Sequence, residues 1–183
     1  LDMSFLKAED QFLLTQMVSV AVIDVLKKYL PEENLFIKWP NDILINGRKV
    51  AGILCEADFQ GREVAIVVGV GINVSTTQEQ LPVRVIYPAT SLALEGINVD
   101  VSTLADKVAQ GLQSRFERFY KEKEITSVWS LYDVLFGKFI RVVTPDAGLV
   151  EGVSAGITPS GELIVEDSIT SATHIITAGS IIR

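Results

Sequence analysis

The chain has 183 residues, 48% hydrophobic and 21% charged, which is enough to build one medium domain with a small second one. Its net charge of −7 argues against a general nucleic-acid binder, which needs excess Lys and Arg to neutralise phosphates. A single cysteine excludes an intrachain disulfide, and a single histidine leaves no Cys/His cluster for zinc. Without a membrane-length apolar run or a secretory signal, we expect a cytoplasmic protein that does not enter a membrane.

The N-terminal part of the chain predicts a long helix followed by a short strand. Apolar positions cover most of the circumference of residues 8–30, so the predicted helix is largely buried, and Pro31 ends it. The sequence "LFIKW" then predicts a strand over residues 35–39 that Pro40 terminates. Trp39 is predicted to pack in the core.

A β-hairpin is predicted next, because Asn46-Gly47 separates "DILI" from "RKVAGILCEA". With these two residues as the loop, Leu44 faces Lys49 and Asp42 faces Ala51. Asp42 and Lys49 then lie diagonally on one face, within reach of each other. The spacing leaves two readings open, an exposed ion pair of little energetic value or one wall of a partly buried polar site.

Glycines interrupt two of the predicted strands. The nearly all-apolar stretch over residues 63–73 predicts a strand at the sheet centre, after a turn at 60–62. Gly52 in the hairpin, with Gly69 and Gly71 in this strand, marks places where a ligand or another backbone approaches closely. "GVGIN" lacks the third glycine and the following helix of a dinucleotide fingerprint. The spacing therefore supports a ligand pocket between two glycine-bearing strands.

Two further helices are predicted before the character of the chain changes. Residues 102–123 keep a helical spacing of apolar side chains, with Ser102 or Thr103 as the N-cap. A shorter helix is predicted over residues 125–136, ending near Gly137.

The C-terminal part of the sequence consists of short β runs separated by turn dipeptides. This pattern predicts a small β-barrel. We therefore place a domain boundary near Gly137, with residues 1–136 forming the core domain and residues 137–183 forming the barrel.

Residues 38–56, "KWPNDILINGRKVAGILCE", resemble the central motif of biotin protein ligases, the biotin–[acetyl-CoA-carboxylase] ligases. The resemblance continues, in the same order, through "VVGVGINV" (67–74), "PATSL" (88–92), "EGI" (95–97) and the terminal β module. It covers nearly the whole chain. It implies an α+β fold, with a mixed β-sheet carrying helices on one face, followed by an SH3-like β-barrel.

The resemblance also implies an activity. The family uses ATP and Mg²⁺ to convert biotin to biotinoyl-5′-AMP, releasing pyrophosphate. It then transfers biotin to a lysine of a biotin carboxyl carrier domain of acetyl-CoA carboxylase. Members pair through the edge of the central sheet, which implies a homodimer.

Functional residues follow from the resemblance position by position. Lys49 matches the lysine that contacts the biotin carboxylate and the adenylate phosphate, and Lys38 matches a second lysine on the nucleotide side. An ammonium group at Lys49 would offset charge as the carboxylate attacks the α-phosphate. Asn41, Asp42 and Asn73 match ATP-binding positions, with Asp42 a candidate Mg²⁺ ligand. The biotin- and adenylate-binding floor is predicted from Lys49, Gly52, Ile53, Leu54, Gly69 and Gly71.

Two departures from the family pattern qualify these expectations. The family's Gly-Arg-Gly-Arg-Arg-Gly loop precedes a strand resembling "LDMSFL" (1–6), and this sequence does not contain that loop. Because the first residue is Leu1 rather than Met, we expect the chain to be the C-terminal part of a longer ligase. Ser180 stands where the family usually has Glu.

Three other functions stay open from the sequence. The first is a catalytically impaired homologue that binds biotin or docks the carrier. The second is a lipoate or octanoate transferase of the same fold, which is not expected to have both the hairpin motif and the barrel. The third is a repressor ligase with an N-terminal DNA-binding domain, which no residue of this chain supports.

Overall fold

Helix α1 forms the centre of the core domain. The computed structural model describes residues 11–60, 63–83, 87–122 and 125–182, and α1 spans Gln11–Leu26. The predicted strand over 1–6 and part of the predicted turn at 60–62 lie outside these residues. The helix ends before its predicted limit because residues 27–29 form a turn. Val18, Val22 and Ile23 are fully buried, which confirms the largely buried helix.

Four strands form an antiparallel sheet against which α1 packs: β1 (Leu35–Lys38), β2 (Asp42–Ile45), β3 (Arg48–Gln60) and β4 (Glu63–Ile72), in this order. Among the described residues β4 lies at the end of the sheet, and its predicted central place stays a prediction because the predicted strand over 1–6 lies outside them. Val68 and Val70 of β4 are partly buried, whereas Val67 on the other face is exposed. Within the part of the chain that the structure describes, the parallel pairing of the predicted mixed sheet is confined to isolated bridges, Ile37–Asp133 and Lys49–Ala89.

The predicted two-residue hairpin turn is confirmed. Asn46 and Gly47 both have positive φ, 51° and 75°, as the type I′ turn requires. Leu44 pairs with Lys49 as predicted, but the register then shifts, and Asp42 pairs with Gly52 rather than with Ala51.

The shift is a β-bulge that lies beside a parallel bridge between Lys49 and Ala89. The Lys49 N–H donates to the Pro88 carbonyl, and the Thr90 N–H donates to the Lys49 carbonyl, each over 2.8 Å. Lys49 thus pairs with Leu44 of β2 and is hydrogen-bonded to residues 88–90 on its other side. One extra residue in β3, Val50, moves Gly52, rather than Ala51, opposite Asp42.

Helix α2 spans Val101–Glu122, close to the predicted limits. Its cap differs from the prediction, because the Thr103 N–H donates to the Asp100 carboxylate over 2.9 Å. Hydrogen bonds from Ser102 and Thr103 hold the pKa of Asp100 below its usual value. Ser102 and Thr103 are therefore donors to the cap rather than the cap itself.

Helix α3 spans only Thr126–Ser130, so the predicted helix over 125–136 is too long. Beyond it, the Tyr132 carbonyl accepts from the Ile37 N–H, and the Val134 N–H donates to the Ile37 carbonyl. These bonds to β1 use backbone groups that a continuing helix would need. Tertiary pairing therefore overrides local propensity.

The C-terminal strands form a small barrel-like antiparallel sheet, in the order β8-β7-β6-β5-β9. They are β5 (Phe139–Thr144), β6 (Gly148–Ile157), β7 (Leu163–Glu166), β8 (Thr173–Ile176) and β9 (Ser180–Ile182). The turn between β6 and β7 contacts the core domain, where the Gly161 carbonyl accepts from Trp39 Nε1 over 3.1 Å. Trp39 is fully buried, which confirms its core role. Within the described residues, no helix is both long and apolar enough to cross a membrane.

We expect Gly152→Ala to destabilise the barrel strongly. A Cβ at Gly152 would lie 2.3 Å from the Glu166 carbonyl oxygen, so the paired backbone of β7 would have to move. The free energy of unfolding, measured by urea denaturation, should fall by about 2 kcal/mol or more. Gly69→Ala is the matched control, because its Cβ would meet the nearest atom at 3.5 Å. Equal losses in the two variants would contradict this steric argument.

The buried carboxyl group of Asp133 should make the stability of the protein depend on pH. Its Oδ1 accepts from the Leu135 N–H, its Oδ2 is buried with no partner among the described residues, and burial raises its pKa. The folded state then binds a proton more tightly than the unfolded state, so this contribution to stability falls as pH rises from the unfolded to the folded pKa. Asp133→Asn should flatten that dependence and raise stability at pH 7, measured by urea unfolding across pH. Exposed Asp146→Asn is the control, and an unchanged pH profile for Asp133→Asn would refute the assignment.

Candidate functional site

A cavity of about 760 Å³ opens between the hairpin, the loop after β4 and the last barrel strand. It brings together most of the predicted site residues: Lys38, Asn41, Asp42, Lys49, Gly52, Gly71 and Asn73. The hairpin supplies one wall, as the opposed charges in its sequence suggested.

Asp42 organises the charges in this wall. Its Oδ2 lies 2.8 Å from Lys38 Nζ, and its Oδ1 lies 2.5 Å from Lys49 Nζ. Two ammonium groups therefore share one carboxylate, which leaves the cluster with one net positive charge. This arrangement favours an anionic ligand in the cavity.

The two lysines differ in exposure. The Lys38 side chain is 9% exposed, whereas that of Lys49 is 42% exposed. Lys38 Nζ also lies 4.8 Å from the centroid of the Tyr87 ring, within the range of a cation–π contact. Lys38 is thus fixed in the wall, and Lys49 is the cation that a ligand can reach.

Gly52 keeps the floor beneath Lys49 flat. A Cβ at Gly52 would lie 3.4 Å from Lys49 Nζ and 3.5 Å from its Cε. Gly71 pairs with Gly52 on the neighbouring strand, so two positions without side chains lie next to each other under the cavity. A larger side chain at Gly52 would compete with the lysine for this space.

Asn41 and Asn73 hold the backbone around the cavity. Asn41 Nδ2 donates to the Ile53 carbonyl over 2.8 Å, and Asn73 Nδ2 donates to the Thr90 carbonyl over 2.9 Å. Both residues line the cavity, but these amide groups already have partners in the fold.

Three predicted floor residues do not line the cavity. Ile53 points to the opposite face of β3 and is buried in the core. Leu54 pairs with Gly69 beside the cavity, and the Leu54 side chain is exposed. Leu54 and Gly69 therefore extend the open face of the sheet away from the charged cluster.

The structure adds residues that sequence reasoning missed. Tyr87 and Ala89 line the cavity on either side of Pro88, the first residue of the "PATSL" motif, so that motif was the available signal. Gly179, Ser180 and Ile181 bring the end of the barrel to the same cavity. No local pattern in the sequence indicates that this distant segment returns to the hairpin.

The surroundings of Asp42 do not suit a metal ion. Both carboxylate oxygens already pair with ammonium groups, and a cation there would lie next to two positive charges. Among the described residues, no group of three or more His, Cys, Asp or Glu side chains is placed to hold a metal. The arrangement therefore does not fit the role of Asp42 as a magnesium ligand.

The fold and the site together define an α+β protein with a barrel-like C-terminal domain and a cationic cavity on a glycine-lined sheet. Residues 2–73 match the model of the Biotin/lipoate A/B protein ligase family. Over these residues the chain is similar to this family, and over most of its length it is similar to named biotin protein ligases.

Named relatives agree with this placement. The chain is 31% identical over 156 residues to the bifunctional ligase/repressor BirA of Escherichia coli, covering 84% of this chain and 48% of the relative. It is 28% identical over 168 residues to the biotin–[acetyl-CoA-carboxylase] ligase of Mycobacterium tuberculosis, covering 90% and 59%. The chain thus spans about half the length of such relatives.

Solved structures share the fold. The biotin protein ligase of Aquifex aeolicus matches with a TM-score of 0.76 at 22% identity, over 96% of this chain and 77% of that one. A complex of the same ligase with biotin and ATP matches with a TM-score of 0.73 at 22% identity, over 93% and 70%. These matches confirm the predicted α+β core followed by a small barrel-like domain.

We expect Asp42→Asn to destabilise the protein, because it leaves the nearly buried Lys38 ammonium without a counter-charge. The free energy of unfolding should fall by about 2–4 kcal/mol in urea denaturation. Glu151→Gln is the matched control, since it removes an exposed ion pair with Arg141 and should cost about 1 kcal/mol or less. If Asp42→Asn costs no more than this control, the Lys38–Asp42 pair is not a structural element of the site.

Proposed function

We propose that the protein is an ATP-dependent biotin protein ligase. In the first step an oxygen of the biotin carboxylate attacks the α-phosphorus of ATP, the bond to the β-phosphate oxygen breaks, and pyrophosphate leaves. In the second step a carrier lysine amine attacks the acyl carbon of biotinoyl-5′-AMP. An amide bond forms, AMP leaves, and the amine loses a proton.

The observation that carries this proposal is the pair of lysines on one carboxylate above a glycine floor. The reacting groups in adenylation are a carboxylate and a polyphosphate, both anionic. Lys49 is exposed enough to leave Asp42 and contact them, and Lys38 keeps the carboxylate neutralised when it does. A cation held at the α-phosphate lowers the barrier most when charge develops there in the transition state.

The neighbouring surfaces fit the rest of the substrates. We propose that the flat floor at Gly52 and Gly71 accepts the adenylate, and that the open face at Leu54 and Gly69 extends it towards biotin. Asn41 and Asn73 line the nucleotide side, where their amide groups keep the surrounding backbone in place. Mg²⁺ would enter with the ATP phosphates, without Asp42 as its ligand.

The partner in the second step is proposed to be a biotin carboxyl carrier domain of acetyl-CoA carboxylase. The matched ligase of M. tuberculosis carries that enzyme in its name. A homodimer through the sheet edge belongs to the same proposal.

A lipoate or octanoate transferase is the nearest competing function, since the matched family includes lipoate ligases. The barrel-like domain and the intact hairpin motif favour biotin, because such transferases are not expected to carry both. Exchange assays with biotin, lipoate and octanoate as alternative acids separate these functions. Biotin binding by calorimetry without any exchange would instead indicate an impaired biotin-binding homologue.

We expect Lys49→Ala in the full-length protein to lower biotin-dependent ATP–pyrophosphate exchange by a factor on the order of 10³, because the cation at the reacting phosphate is lost. Exposed Lys28→Ala is the control and should leave the exchange rate unchanged. Near-normal exchange by Lys49→Ala would remove this lysine from the mechanism. An inactive wild-type protein would reject the ligase proposal as a whole.

A further inference from the structure

Glu95 is an almost buried carboxylate outside the residues that line the cavity. Its side chain is only 5% exposed, and it pairs with Arg48 Nη2 over 2.7 Å. The same oxygen accepts from Thr90 Oγ1 over 2.6 Å, and the other oxygen accepts from Asn46 Nδ2 over 3.0 Å. A buried charge is stable only when it is paired and hydrogen-bonded, and both oxygens of Glu95 meet this condition.

These partners place Glu95 at a junction. Asn46 and Arg48 flank Gly47 in the hairpin turn, whereas Thr90 belongs to the loop that follows β4. Glu95 therefore ties the turn of the hairpin to this loop. The turn and the loop meet at Lys49, the residue after Arg48, whose backbone is hydrogen-bonded to residues 88–90.

The Lys49 backbone lies inside this connection. Its N–H donates to Pro88 and its carbonyl accepts from Thr90, so residues 88–90 pair with Lys49 as a short parallel segment. The β-bulge that moves Gly52 opposite Asp42 begins at the next residue, Val50. The Cα position of Lys49, and thus the origin of its side chain over Gly52, is fixed by the loop that Glu95 holds.

The same loop reaches the second lysine. Tyr87 immediately precedes Pro88, and its ring lies 4.8 Å from Lys38 Nζ. Asn73 Nδ2 donates to the Thr90 carbonyl, which connects the loop to the end of β4. One buried carboxylate thus supports the loop that contacts both cations of the site.

We propose that Glu95 is a positioning residue for Lys49, acting through the hairpin turn and residues 88–90. The inference rests on the proposed ligase function. Glu95 touches no substrate in it. Its carboxylate fixes where the Lys49 ammonium stands when the α-phosphate reacts, and an ångström of misplacement is enough to slow such a step by about 100-fold.

The test is Glu95→Gln in the full-length protein, assayed for the rate of biotinoyl-AMP formation. Gln keeps the shape and one acceptor oxygen but loses the charge that holds Arg48. We expect kcat to fall roughly 10- to 100-fold, with KM for biotin and ATP within about 3-fold of wild type, as for an interaction that matters in the transition state. Glu151→Gln also removes a carboxylate from an arginine, in the barrel, and should leave kcat unchanged.

A double variant separates positioning from general structural support. In a Lys49→Met background, Glu95→Gln should lower the residual rate by less than about 2-fold, since the group it positions is gone. A further loss as large as that of the single variant would overturn the inference. If Glu95→Gln fails to fold, Thr90→Val removes one donor while keeping the side-chain shape, and it should still lower kcat by about 3-fold or more.

The assay distinguishes a failure of the ligase proposal from a failure of the positioning role of Glu95. A wild-type protein that forms no biotinoyl-AMP rejects the ligase function. An active wild type whose folded Glu95→Gln variant keeps kcat within about 2-fold rejects the positioning role alone.

Discussion

The Asp42 carboxylate, shared between Lys38 and Lys49, is the interaction on which the rest of the site depends. Removing lysines from water is costly unless a counter-charge is close, and Asp42 supplies it to both within 2.8 Å. The pair with Lys38 is nearly buried, so it fixes the end of β1 against the start of β2. The pair with Lys49 is open to solvent on one side. The Asp42 carboxylate thus holds Lys38 in a nearly buried ion pair and Lys49 in a solvent-exposed one.

This division explains why the site needs a bulge. In a regular hairpin, Asp42 would stand opposite Ala51, and a methyl group would occupy the space beneath the lysine side chain. The bulge moves Gly52 into that place and leaves a floor without side chains under Lys49. The backbone bonds between Lys49 and residues 88–90 hold the residue that directly precedes the bulge. The position of the Lys49 ammonium therefore depends both on the strand register and on the loop after β4.

Local sequence signals predicted the parts of the fold that are locally determined. Asn46-Gly47 has few conformations open to it, so the hairpin turn and the first two residue pairs followed directly. The continuous apolar run of α1 likewise predicted a buried helix. The register beyond Lys49 and the short α3 depend on partners distant in sequence, which periodicity does not encode. The turn chemistry placed Asp42 and Lys49 together, whereas Lys38 was predicted only through the family resemblance, and the contacts of Glu95 and Tyr87 were not predicted.

The barrel contributes to the site through position rather than through charge. In the turn before β7, the Gly161 carbonyl accepts from Trp39 Nε1, and Trp39 is the residue between Lys38 and Pro40 in the sequence. At its other end, Gly179, Ser180 and Ile181 close one side of the cavity. Ser180 brings a neutral hydroxyl to the cavity, so the net positive charge of the lysine cluster is not offset from that side. The carboxylate of Asp42 is the only acidic group among the described lining residues, and the cavity therefore favours an anionic ligand.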